Sequence, residues 1–137
     1  MSGADPAAVA AAADEVLAAI VTASDAAAPS LKDRLLSMKD LMAVAAADFE
    51  GGVEDGKVTF AMEYRDAWGF VQVIRAEAET LAASSDAAEA EAGKAVLEQV
   101  ASVDPLFDGV MAETAGTDIG LLAAAAGWIE IIALKAK

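Results

Sequence analysis

Apolar positions recur at helical spacing through most of the chain. After Asp5-Pro6, an N-cap followed by Pro at the first helical position, Val9, Ala13, Val16, Leu17 and Ile20 keep a 3.6-residue period and predict a helix to about Ala27. Pro29-Ser30 breaks and re-caps the chain, and Leu31, Leu35, Met38, Met42, Ala45 and Phe49 form the stripe of a second helix. Residues 50–58, EGGVEDGKV, hold three Gly in nine positions and predict a loop in which Gly51, Gly52 and Gly56 supply positive φ. Thr59 is the expected cap of a third helix to about Ala83, with Tyr64, Ala67, Trp68, Val71, Ile74, Ala78 and Leu81 on its apolar side.

Asp86 and Glu89 have the spacing of a capping box and open a fourth helix carrying Val96, Leu97, Val100 and Val103. Asp104-Pro105 predicts a short helix through Leu106, Phe107, Val110 and Met111, ended by Gly116, and Thr117 is the expected cap of a last helix ending in Lys135 and Lys137. That last segment is almost long enough to span a bilayer. Its Ala and Gly content and Glu130 inside the apolar run argue for a bundle helix instead. No strand-like alternation of useful length is present. The expectation is an all-α antiparallel bundle of four main helices plus one or two shorter ones, a single domain over residues 1–137. Its core should hold Val16, Ile20, Leu35, Met42, Trp68, Val71, Ile74, Val96, Val100 and Leu122.

Charge and composition narrow the chemistry. Nine Lys and Arg against 23 Asp and Glu leave a formal charge of −14, so nucleic acid and anionic membrane surfaces, which require a basic face, are not expected partners. The chain has no Cys and no His. That removes disulfides, thiolate and imidazole ligands and the commonest general base, so any metal site must be built from oxygen. No phosphate loop, dinucleotide fingerprint or nucleophile elbow is present, and no enzymatic activity is expected. The acids Asp48, Glu50, Glu54 and Asp55 lack the Gly and Glu spacing of an EF-hand loop. Met38, Met42, Met62 and Met111 are read as core filling rather than as copper ligands. The N-terminus has no basic region ahead of its apolar stretch, so no signal peptide is read there.

The stretch Leu41 to Phe70, LMAVAAADFEGGVEDGKVTFAMEYRDAWGF, carries a resemblance. Asp48-Phe49, the loop Gly52-Val53-Glu54-Asp55-Gly56-Lys57-Val58 and Glu63-Tyr64-Arg65-Asp66-Ala67 follow without a gap. They are similar to the Asp-Tyr, Ala-Val-x-x-Gly-Lys-Val and Glu-Tyr-x-Glu-Met elements of the soluble helical region that precedes the membrane part of bacterial high-affinity iron permeases, the oxidase-dependent iron transporter family. Three positions depart from that pattern: Phe49 lacks the hydroxyl of Tyr, Asp66 is a methylene shorter than Glu, and Ala67 replaces Met. The Arg-Glu-x-x-Glu motifs of the family's intramembrane helices are missing. The resemblance implies an extracytoplasmic accessory module of an iron-uptake system, in the periplasm, that binds iron weakly or docks on the membrane permease or an electron-transfer protein, with no insertion of this chain into the membrane; the absence of Cys by itself fits a cytoplasmic place equally well.

The matched acids also define a candidate metal site. Asp48 ends the second helix, while Glu63 and Asp66 lie at i and i+3 in the first turns of the third, so a loop returning to the same end of the bundle would let the three carboxylates meet around iron or another hard cation, with iron the one cofactor expected and no cofactor the alternative. A structural account stands beside it, because acids in a first helical turn are stabilised by the helix dipole and Asp48 can brace the Gly-rich loop. The alternative for the whole chain is a metal-free acidic helical bundle that binds other proteins.

Overall fold

The computed structural model describes residue 11, residues 14–16, residue 19 and residues 28–137. The chain divides into two units, Met1–Ser30 and Leu31–Lys137. In the first, residues 11, 14–16 and 19 are helical and residues 28–30 are not, and Val16 is 57% exposed, against its expected core place, while Ile20 and most of the predicted first helix lie outside the described residues.

The second unit is a four-helix bundle. Its helices are α1 (Leu31–Gly52), α2 (Ala61–Ala82), α3 (Ala87–Val103) and α4 (Gly120–Lys135), and a 3₁₀ turn, Asp104–Leu106, follows α3. Each helix packs on the next, and α4 closes the ring against α1. The sequence dictates this through alternating steps of three and four between buried positions: Leu35, Met38, Met42, Ala45, Phe49 and Gly52 on α1, and Tyr64, Ala67, Val71, Ile74, Ala78 and Leu81 on α2. Such spacing keeps one seam facing the bundle axis. Among the described residues no helix is long and apolar enough to cross a membrane.

Small residues set the helix separation. A Cβ built on Gly93 of α3 would stand 2.3 Å from the Ala82 backbone nitrogen and 2.7 Å from the Ala78 carbonyl oxygen, so α3 lies directly on the last turn of α2. The capping box at the start of α3 is half formed. Asp86 accepts from the Glu89 N–H at 3.0 Å, but the Glu89 carboxylate accepts from the Ser84 hydroxyl instead of reaching back to the cap.

Several expectations are corrected. Trp68 is only half-buried, because the seam runs Tyr64, Ala67, Val71 and Trp68 falls one step outside it, whereas Phe70 packs partly buried against the core. Met62 and Met111 are 68% and 70% exposed and fill no core. The helix expected after Asp104 stops after one 3₁₀ turn at Leu106. Neither Thr59 nor Thr117 is a cap, since α2 and α4 begin after Phe60 and Ile119 with no side-chain cap bond. The predicted loop contains a β-hairpin.

Candidate functional site

The stretch that carries the resemblance folds into one end of the bundle. Val53–Glu54 (β1) pairs antiparallel with Lys57–Val58 (β2), Val53 opposite Val58 and Glu54 opposite Lys57. Asp55 and Gly56 form the two-residue connection with φ of 50° and 75°. Two consecutive positive φ angles make a type I′ turn, whose twist suits a tight hairpin and for which Asp-Gly is a preferred pair. Gly51 and Gly52 are helical, so among the three loop glycines only Gly56 uses the left-handed region.

Gly52 answers a different need. A Cβ there would lie 2.6 Å from the Tyr64 backbone nitrogen and 3.0 Å from the Phe60 carbonyl oxygen, so the end of α1 touches the start of α2 through bare backbone. The Gly52 carbonyl accepts from the Thr59 N–H at 2.9 Å and the Phe60 N–H at 3.2 Å. One of the carbonyls orphaned at a helix C-terminus is thereby satisfied twice by the returning chain.

The crossover from α3 to α4 packs onto this hairpin. Val58 N–H donates to the Glu113 carbonyl at 2.9 Å and Ala115 N–H to the Gly56 carbonyl at 3.0 Å, while within the crossover Gly116 N–H donates to the Leu106 carbonyl at 3.0 Å. Beneath these bonds Phe49, Tyr64 and Phe107 form an aromatic cluster with ring centroids 6.2, 5.2 and 5.7 Å apart. Phe49 and Tyr64 are fully buried. The Tyr64 hydroxyl donates to the Gly109 carbonyl at 2.9 Å, tying α2 to the crossover. Burial, which disfavours the phenolate, pushes the Tyr64 phenol above its ordinary value of 10, and the nearby Asp108 charge adds to this while a backbone hydrogen bond opposes it.

The residues of the resemblance therefore divide by role. Phe49, Gly52, Gly56, Tyr64 and Ala67 build the interior and turn of this end, and a Phe at position 49 loses no hydrogen bond in a ring cluster. Lys57 is exposed, and its backbone bridges Thr114 of the crossover. Of the expected metal ligands, Asp48 and Glu63 are half-buried and Asp66 is exposed.

The expected meeting of Asp48, Glu63 and Asp66 around a cation is not assembled in this arrangement: among the described residues no three acids stand together where they could hold a metal ion. Glu63 turns its carboxylate toward α1, with Oε2 2.1 Å from where a Gly51 Cβ would sit. Glu63 thus covers the glycine at the end of α1. Sequence reasoning missed Phe107, Gly109 and the Glu113–Gly116 segment, which complete this end from more than forty residues away. The Asp-Gly pair was the available signal for the hairpin, but nothing local marks the strand-like segment that covers it.

In comparison with known families, the model described as the iron permease-associated 4-helix bundle domain matches residues 24–130. No curated protein and no solved structure matches the chain.

Proposed function

Because this chain belongs to the iron permease-associated 4-helix bundle domain family, we propose that it serves an iron-uptake system as a periplasmic accessory module that docks on a membrane iron permease or on an electron-transfer partner. The family match carries the reading. It spans α1, α2, α3 and most of α4, and so includes both the hairpin end and the bundle that holds it. Iron enters as cargo. A surface with a formal charge of −14 attracts cations, and carboxylates without His or Cys hold hard cations weakly and exchange them readily. Tighter binding by Asp48, Glu63 and Asp66 would require their side chains to swing together from the positions described above.

Two measurements test the reading. In cells that carry the partner permease, the tagged chain should co-purify with it from detergent extracts, and deletion of the chain should reduce iron uptake. An unchanged uptake rate with no association rejects the reading in favour of a metal-free interaction bundle. Calorimetric titration with ferrous and ferric iron, with calcium and magnesium as controls, addresses the cargo separately. Iron binding lost in Glu63→Gln supports a carboxylate site, and heats that match the calcium and magnesium controls leave docking as the sole function.

A further inference from the structure

A helix that is apolar on every side is normally buried on every side. α4 is not. Leu122, Ala125, Ala126, Ile129 and Ala133 face the core, yet Trp128, Ile131 and Leu134 on the opposite side are 55%, 40% and 64% exposed. Ala124 and Gly127 continue that outer face. We propose that the outer face of α4 is an interface for a second copy of this chain, in which two α4 helices pair in parallel along a two-fold axis.

Three observations select a second copy as the occupant. The first is the seam. Ala124, Gly127, Ile131 and Leu134 follow steps of three, four and three, which are the a and d positions of two heptads, with small residues at one end that let two helices approach closely. The second is charge complementarity. In that register Glu130 falls at g and Lys135 at the following e, and in a parallel pair each g residue faces the e residue five positions later on the partner. The outer face therefore complements itself: Glu130 of each copy meets Lys135 of the other, twice by symmetry. Among the described residues Glu130 forms no ion pair; Lys39, whose ammonium is held above its ordinary value chiefly by Asp40, feels the Glu130 charge as the smallest of the influences on it.

The third is the placement of the acids. The chain carries −14 overall, but residues 120–137 hold one acid, Glu130, against Lys135 and Lys137. α4 is thus a face on which two acidic molecules can touch with few carboxylates brought together. The contact is a single helix face, below the usual size of a permanent interface, so the dimer should be weak and concentration-dependent.

The test is sedimentation equilibrium of the full chain from about 10 μM to about 1 mM at physiological salt. The expected result is a dimer that grows in with concentration. Ile131→Glu places a charge in the seam and should leave only monomer, with an unchanged melt because the side chain is partly exposed. Glu130→Lys and Lys135→Glu should each weaken association about tenfold by setting like charges across the pair, and the double exchange should recover most of the loss. A monomer throughout, a dimer that survives Ile131→Glu, or a double exchange no better than either single one overturns the proposal. The readout is mass, so it is independent of whether iron or a permease is involved.

Discussion

The two ends of the bundle are held by different physics. At the hairpin end the contacts are backbone hydrogen bonds and buried rings: Gly52 against Tyr64, the hairpin against the Glu113–Gly116 segment, and Tyr64 against the Gly109 carbonyl. At the other end, where α1 and α3 begin and α2 and α4 finish, side chains in partial contact with solvent do the joining. Arg34 of α1 bonds Glu77 of α2 through Nε at 2.8 Å and reaches Glu89 of α3 at 3.8 Å. An open groove of about 390 Å³ lies beside them, between Leu31, Ala88, Ala92 and Ile132. A surface meant to present a fixed shape needs the first kind of end, since buried backbone contacts tolerate almost no displacement while exposed ion pairs tolerate much.

The comparison breaks most sharply at Gly52. Gly52→Ala drives a methyl into backbone on two sides, and backbone cannot move aside as a side chain can. The expected loss is about 2 to 4 kcal/mol by chemical denaturation, at the upper end of what overpacking costs. Gly51→Ala is the control, because the atom it meets is the end of the flexible Glu63 side chain. Equal losses at both sites would show that the ends of α1 and α2 are not in backbone contact.

Gly56→Ala ranks next. Its φ of 75° disfavours any Cβ, and the added carbon would also come within 3.1 Å of the Thr117 methyl and 3.3 Å of the Ala115 carbonyl. A loss of about 1 to 2 kcal/mol is expected from the strained turn. Gly56→Asn, which tolerates positive φ better, should cost less. A reversed order of the two variants would reject the type I′ assignment.

How much of this end was legible in the sequence follows from the range of its contacts. The helices were legible because steps of three and four repeat inside each segment, and the pairing of Asp86 with the Glu89 N–H was legible because the two lie three residues apart. The region that matters was also legible, as a run of motifs from Asp48 to Ala67. Its internal logic was not. Trp68 looks like a better core residue than Ala67, but a one-step difference on the wheel puts Ala67 inside at 0% exposure. Helix spacing fixes where the Cα atoms of Asp48, Glu63 and Asp66 lie and not where their carboxylates point, so it leaves their meeting open. The strand-like course of the crossover has no local signal, because its partner, the hairpin, lies far back in the chain and the bonds between them are backbone bonds without a residue signature.

Tyr64→Phe sharpens the comparison through pH. Removing the hydroxyl leaves the Gly109 carbonyl without its partner, at a cost of about 1 kcal/mol. The Tyr64 phenol lies above its ordinary value of 10 in the folded state. The unfolded chain therefore releases this proton first. Its contribution to stability is complete below about pH 10 and declines as the pH rises above that, toward the folded value. Measured as the difference between wild type and Tyr64→Phe, which cancels the titration of the lysines, the decline above pH 10 should be present in wild type only. A difference that stays constant through the alkaline range would mean that the ring is wet.

The smallest effect is expected at the opposite end. Arg34 has 24% of its side chain exposed and Glu77 41%, so water and salt screen the pair and a large Coulombic gain is not available. The pair is nevertheless anchored, because Nε and an Nη atom of Arg34 both donate to the same Glu77 oxygen while Glu89 receives the Ser84 hydroxyl on its other side. Arg34→Met keeps the aliphatic stem and removes the charge; it should cost about 0.5 to 1 kcal/mol at low ionic strength. Because Glu77 and Glu89 then lose their shared cation, part of that cost is repulsion between two acids of neighbouring helices, which salt also screens. The loss should therefore shrink toward zero at about 1 M salt, where the screening length falls to about 3 Å. The losses at Gly52 and Gly56 come from steric overlap and backbone strain, and they should not change with salt. If Arg34→Met proves as costly as Gly52→Ala, or as insensitive to salt, the ion-paired end is as tightly built as the hairpin end and the contrast between them disappears.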